Sequence, residues 1–190
     1  MHPLDKIANQ KWFAPASAIL LLLGWLWIGM TAALPGATTT GKIPAPQAGF
    51  LAPEFSLPAS QGGAVSLADF RGHPVIINIW ASWCGPCRAE MPALQKIYEQ
   101  FADQGLVILA VNATAQDTET AALAFARDLG LTFPILLDRD GVVSRLYENR
   151  ALPSTFFVGA DGVITEVIIG GPMAVALLFT RVQSLLERPQ

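Results

Sequence analysis

Residues 75–87 read VIINIWASWCGPC, an apolar, β-branched run that leads through Ala81-Ser82 into two cysteines separated by Gly85 and Pro86. A run of this length and composition is a buried strand. Over residues 85–103 the apolar positions Met91, Leu94, Ile97, Tyr98 and Phe101 recur at helical spacing, and Gly105 ends the pattern. The strand-to-helix junction therefore falls at the cysteine pair. It puts Cys84 at a helix N-terminus, where unpaired N–H groups and the macrodipole favour negative charge. A thiol placed there falls from about 8.5 towards about 7 or below and supplies a thiolate at neutral pH. Cys87 comes one turn later on the same face, within reach of Cys84 for a disulfide. Pro86 in the first turn costs little, because its missing N–H would be unpaired anyway.

The pattern beyond the junction alternates. Residues 106–111 (LVILAV) read as a second buried strand, and 118–129 (TETAALAFARDL) as a helix stopped by Gly130. Three more strands are expected at 133–137, 155–159 and 163–169, the last two joined by the turn Ala160-Asp161-Gly162. An amphipathic helix over 173–187 closes the chain. A β-α-β-α-β start followed by β-β-α predicts one three-layer α/β domain with a mixed sheet, over residues 51–190.

The N-terminal part is different. Residues 12–34 carry no charge, and a helix of that length would run ~34 Å, enough to cross a hydrocarbon core of about 30 Å. Lys6 and Lys11 precede it and the next basic residue is Lys42, so the positive-inside rule puts residues 1–11 in the cytoplasm and the rest outside. A secretory signal has a shorter apolar region, about 7–15 residues, so the run reads as an uncleaved single-pass anchor in the cell membrane. Residues 35–50, rich in Pro, Gly and Thr, read as a linker. The first eleven residues carry net +1, which leaves −4 on the remainder of a chain of formal charge −3. That balance speaks against a nucleic-acid partner. A mean hydropathy of +0.43 excludes a disordered chain.

The cysteine pair has rival readings. Zinc needs about four ligands, and the chain offers only His2 and His73 besides these thiols, so no metal is expected. Haem attachment needs a histidine at position 88, which is Arg88. A peroxidase of the Pro-x-x-x-Thr/Ser-x-x-Cys kind would need those landmarks at positions 77 and 81, which hold Ile77 and Ala81. A static disulfide closing so small a loop constrains little of the unfolded chain. Redox exchange without a cofactor is the reading the residues favour. A thiol-dependent peroxidase and a non-catalytic copper- or peptide-binding module on the same fold stand as alternatives.

Trp83-Cys84-Gly85-Pro86-Cys87 is the thioredoxin motif. With Asn78-Ile79-Trp80-Ala81-Ser82, Ala52-Pro53-Glu54-Phe55-Ser56-Leu57 and Leu152-Pro153-Ser154-Thr155-Phe156-Phe157, it resembles the membrane-anchored TlpA/ResA-like branch over about residues 50–187. The resemblance implies a thioredoxin-like fold with an N-terminal hairpin (55–57 with 65–67) and an extra strand-helix insertion near 106–129. It implies a reductant of protein disulfides outside the membrane, typically those of apocytochrome c during haem attachment, recharged by a membrane thiol-disulfide electron carrier. Cys84 would attack the client and Cys87 would resolve the mixed disulfide. Pro153 matches the family's cis-proline, which with Leu152 offers backbone to a client. Trp83, Gly85 and Pro86 would complete the client surface. Glu90 falls where this branch carries a glutamate near the active site, although a first-turn glutamate is ordinarily a solvated residue favoured by the helix dipole. Asn78 takes the place of the buried aspartate of cytoplasmic thioredoxins and cannot act as a base. Glu148-Asn149-Arg150 departs from the small or apolar approach to the proline that relatives tend to have, which leaves the client open.

Overall fold

The computed structural model describes residues 19–25, 27 and 43–187. The chain divides into two units, Met1–Thr38 and Thr39–Gln190. In the first, residues 19–25 and 27 are helical. The expected tail and the ends of the expected anchor lie outside the described residues, as does the first half of the linker. Among the described residues no helix is long and apolar enough to cross a membrane.

The second unit is built on a five-stranded sheet. Its strands are β3 (Val75–Trp80), β4 (Val107–Asn112), β5 (Ile135–Leu137), β6 (Ser154–Val158) and β7 (Ile164–Ile169), in the order β5-β4-β3-β6-β7. β3 pairs parallel with β4 and antiparallel with β6, so the sheet is mixed as expected. A separate hairpin joins β1 (Ser56–Pro58) to β2 (Ala64–Ser66), with Leu57 opposite Val65. Four α-helices follow the strands: α1 (Gly85–Phe101), α2 (Glu119–Asp128), α3 (Val142–Leu146) and α4 (Val175–Leu186).

The period-2 alternation of the strands separates two cores. Ile76 and Trp80 of β3 and Ile108 and Ala110 of β4 point to one face, where they meet Leu94 and Ile97 of α1, Phe125 of α2 and Leu178 of α4. Ile77, Ile79, Leu109 and Val111 point to the other, beneath Phe55, Leu57, Val143 and Tyr147. Those two covers and the sheet make the three layers. The strand-helix pair expected as an insertion near 106–129 is β4 and α2, and β4 is an inner strand of the sheet rather than an edge.

Most element ends fall within one or two residues of expectation, and one element is new. β5 begins at Ile135, because Pro134 has no N–H to give the ladder. α4 begins at Val175, after Pro172. α3 has no counterpart in the sequence pattern; it is five residues long and is organised by buried Asp138, whose carboxylate accepts hydrogen bonds from the Val143 and Ser144 N–H groups (3.2 and 2.8 Å) and the Ser144 hydroxyl.

Candidate active site

Register brings the site together. Ile79 lies opposite Ser154, so the segment leaving β3 towards Cys84 and the segment entering β6 from Pro153 meet at the same end of the sheet. Ser154 is also opposite Ile169, and the Gly170 N–H donates to the Pro153 carbonyl (2.8 Å), which carries the β7–α4 loop to the proline. Trp80 is opposite Asn112, so the β4–α2 loop starts beside the β3–α1 turn. Four connections thus converge where clefts form in sheets of this kind, beyond the carboxyl ends of the parallel strands.

Cys84 is the N-cap of α1, and its sulfur accepts a hydrogen bond from the Cys87 N–H (3.2 Å). The two cysteines form a disulfide with Cα atoms 5.2 Å apart. Cys84 is 4% exposed and Cys87 1%, an order of access that fits an outer attacking thiol and an inner resolving one. Pro86 sits in the first turn as the sequence predicts.

Cys84 opens onto a groove of about 330 Å³ lined by Trp83, Gly85, Pro86, Gln116, Leu152 and the 149–151 segment. Leu152–Pro153 is a cis peptide. Trp83 is 60% exposed and is held by a hydrogen bond from its Nε1 to the Gln116 carbonyl (2.8 Å); Trp80, by contrast, is core and packs on Phe125. A Cβ placed on Gly85 would meet nothing within 4 Å, so the space beside it is open to a client. The polar segment Glu148-Asn149-Arg150 faces this groove: Asn149 and Arg150 line it and also the adjoining hollow that holds Arg145 and Glu148. Glu148 takes a left-handed φ of 47°.

Glu90 is not a solvated helix-start carboxylate. It is 1% exposed, on the α1 face turned to the sheet. Asn78 and Thr155 are opposite one another in the β3–β6 register, and both reach it. The Asn78 amide donates to Glu90 Oε1 (3.0 Å) and to the Thr155 hydroxyl oxygen (2.9 Å), while Thr155 Oγ1 donates to Glu90 Oε1 (3.4 Å). The Met173 N–H donates to Oε2 (3.0 Å). Burial raises the Glu90 carboxyl above its ordinary value, against the lowering effect of Met173, Thr155 and Asn78. A carboxyl with a raised pKa, one helical turn from the inner cysteine, is suited to take up and give back a proton. Gly171 closes this side: a Cβ there would sit 2.7 Å from Glu90 Oε2 and 2.9 Å from Pro153 Cγ.

Sequence reasoning missed Asp117. Its carboxylate accepts from the Ser82 N–H (2.6 Å), the Ser82 hydroxyl (2.7 Å), the Asn112 amide (2.9 Å) and the Thr118 N–H (2.8 Å). In the sequence it passes for a residue at a helix start, and its partner Ser82 lies 35 positions away.

Comparisons with known proteins agree with this geometry. The AhpC/TSA family matches residues 48–167. The thioredoxin-like protein YneN of Bacillus subtilis is 38% identical over 162 residues, 85% of this chain and 91% of that one. The thiol-disulfide oxidoreductase ResA of Geobacillus kaustophilus is 38% identical over 122 residues, 64% of this chain and 69% of that one. The crystal structure of StoA from Bacillus subtilis superposes with a TM-score of 0.60 at 27% identity, covering 68% of this chain and 96% of that one.

Proposed function

We propose, for a chain that belongs to the AhpC/TSA family and is a thiol-disulfide oxidoreductase of the ResA type, that it works as a membrane-anchored reductase of protein disulfides outside the cytoplasm. The observation that carries the reductase reading is the Cys84–Cys87 pair at the start of α1, opening beside Leu152 onto a groove of about 330 Å³. Thiolate Cys84 attacks one sulfur of a client disulfide. A Cys84–client bond forms, the client's S–S bond breaks, and the departing client sulfur takes a proton. Cys87, losing its proton towards Glu90, then attacks Cys84 and expels the second client sulfur. Two electrons pass to the client, and the Cys84–Cys87 disulfide is left.

Gly-Pro between the cysteines supports reduction over oxidation. That dipeptide is thioredoxin's, whose potential is about −270 mV, against about −120 mV for a strong oxidase. Apocytochrome c is the client class suggested by the likeness to ResA-type proteins, and the recharging donor is a membrane thiol-disulfide carrier. The anchor rests on the uncharged run 12–34 and on the lysines before it. The residues assigned to the client are Trp83, Gly85, Pro86, Leu152 and Pro153, with Cys84, Cys87 and Glu90 carrying the chemistry.

A Cys87→Ser variant cannot resolve its mixed disulfide and should retain clients covalently on Cys84. Recovering apocytochrome c bound through a cysteine of its haem-attachment motif is the expected result. Consumption of hydrogen peroxide by the wild-type chain, with no trapped protein, would favour the peroxidase alternative instead.

A further inference from the structure

Ser82 stands two residues before Cys84, and each of its polar groups is held. Its N–H and hydroxyl donate to Asp117 at 2.6 and 2.7 Å, and its carbonyl accepts from Arg88 Nη1 at 3.2 Å. Trp83 is tied to the same loop through Gln116. Asp117 takes the Ser82 and Asn112 N–H groups on Oδ2 and the Ser82 hydroxyl and Thr118 N–H on Oδ1. The plain explanation would be a helix cap. That role is already filled, because the Thr118 side chain accepts from the Ala121 N–H at the start of α2. Three of the four bonds to Asp117 run instead to β3–α1 and to the end of β4.

We propose that Asp117 is a positioning residue of the exchange reaction: it ties the Ser82–Trp83 turn to the β4–α2 loop and so fixes the Cys84 sulfur at the α1 N-terminus and at the mouth of the groove. This rests on Cys84 being the attacking thiol. Arg88 of α1 holds the same turn through the Ser82 carbonyl and is itself stacked over Phe125 of α2, 4.6 Å from the ring centroid. The turn is thus tied to the β4–α2 loop through Asp117 and to α1 through Arg88. A thiolate gains from the helix N-terminus only while it is held against those N–H groups, an effect confined to the first turn. Loosening the turn raises the Cys84 pKa and slows attack. Asp117 acting by charge alone would have the opposite sign, since removing a neighbouring anion lowers a thiol's pKa. Burial pushes the Asp117 carboxyl up, but the bonds from Ser82, Asn112 and Thr118 outweigh it and hold the group below its ordinary value, ionised wherever the thiol titrates.

The test is iodoacetamide alkylation of the reduced full chain as a function of pH, with the equilibrium of its disulfide against glutathione. Asp117→Asn turns one oxygen into an amide that faces two donors. It should raise the Cys84 pKa and cut its alkylation at pH 7 roughly threefold to tenfold, with a shifted glutathione equilibrium. Ser82→Ala keeps the carboxylate and should move both readouts the same way by less; it carries the comparison if Asp117→Asn does not fold. A lowered Cys84 pKa in Asp117→Asn with no change in Ser82→Ala would overturn positioning in favour of charge. Lower melting temperatures with unchanged Cys84 titration and equilibrium would overturn it in favour of a structural role. In the wild type, faster alkylation of Cys87 than of Cys84 would remove the nucleophile assignment and this proposal with it. That separates the two failures.

Discussion

Glu90 shows how one side chain is set by its neighbours. Its partners Asn78 and Thr155 come from adjacent strands, and its third partner, Met173, from the loop before α4. Asn78 cannot take a proton, but it donates to the group that can. Glu90→Gln should slow disulfide reduction roughly tenfold and remove one limb of the pH–rate profile between pH 5 and 9. A stability consequence follows from the same burial. The folded-state pKa of Glu90 is raised above 4.5, so the folded chain holds this proton more tightly than the unfolded one. The contribution is complete below pH 4.5 and is lost as pH rises through the folded value. Relative to Glu90→Gln, the wild type should therefore lose unfolding free energy across that window in denaturant titrations. Parallel curves would mean that the carboxyl titrates alike in both states.

At the scale of elements, the β7–α4 loop acts as a wall. Gly171 leaves room for Glu90 and Pro153 by having no Cβ, and the glycine of the cysteine motif has no such requirement. Gly171→Ala should cost about 1–3 kcal/mol through overpacking and should shift the pH limb assigned to Glu90. A fully active and equally stable variant would show that the wall yields. The elements legible in the sequence are those with a sustained apolar pattern. The continuous apolar run of β3 and the 3.6-residue spacing of α1 are enough, on their own, to put the cysteine pair at the junction of the two. α3 is not legible, because five residues carry no measurable period and their order comes from Asp138, a buried carboxylate that reads as a turn residue. The setting of Glu90 is hidden for a related reason. Its burial depends on the register of β3 against β6 and on a loop 83 positions away. Asp117 is hidden too, since local sequence makes it look like a helix start.

For the whole molecule, the proposed anchor over residues 12–34 would set where the catalytic unit works. The native protein should keep Met1 and sediment with membranes, released by detergent but not by high salt. A mature N-terminus near Ala33 would replace the anchor with a cleaved signal. The other molecular property is access to the sulfurs. Both are nearly covered, at 4% and 1% exposure, and the groove onto which Cys84 opens is lined by Trp83 and Leu152. Exchange rates depend on which sulfur a thiolate can reach as much as on the potentials of the two couples. Small disulfides and misfitting proteins would meet the same driving force as a true client and should still react more slowly. The enzyme's two electrons are in this sense insulated rather than merely poised, and shape of approach, more than voltage, decides where they go.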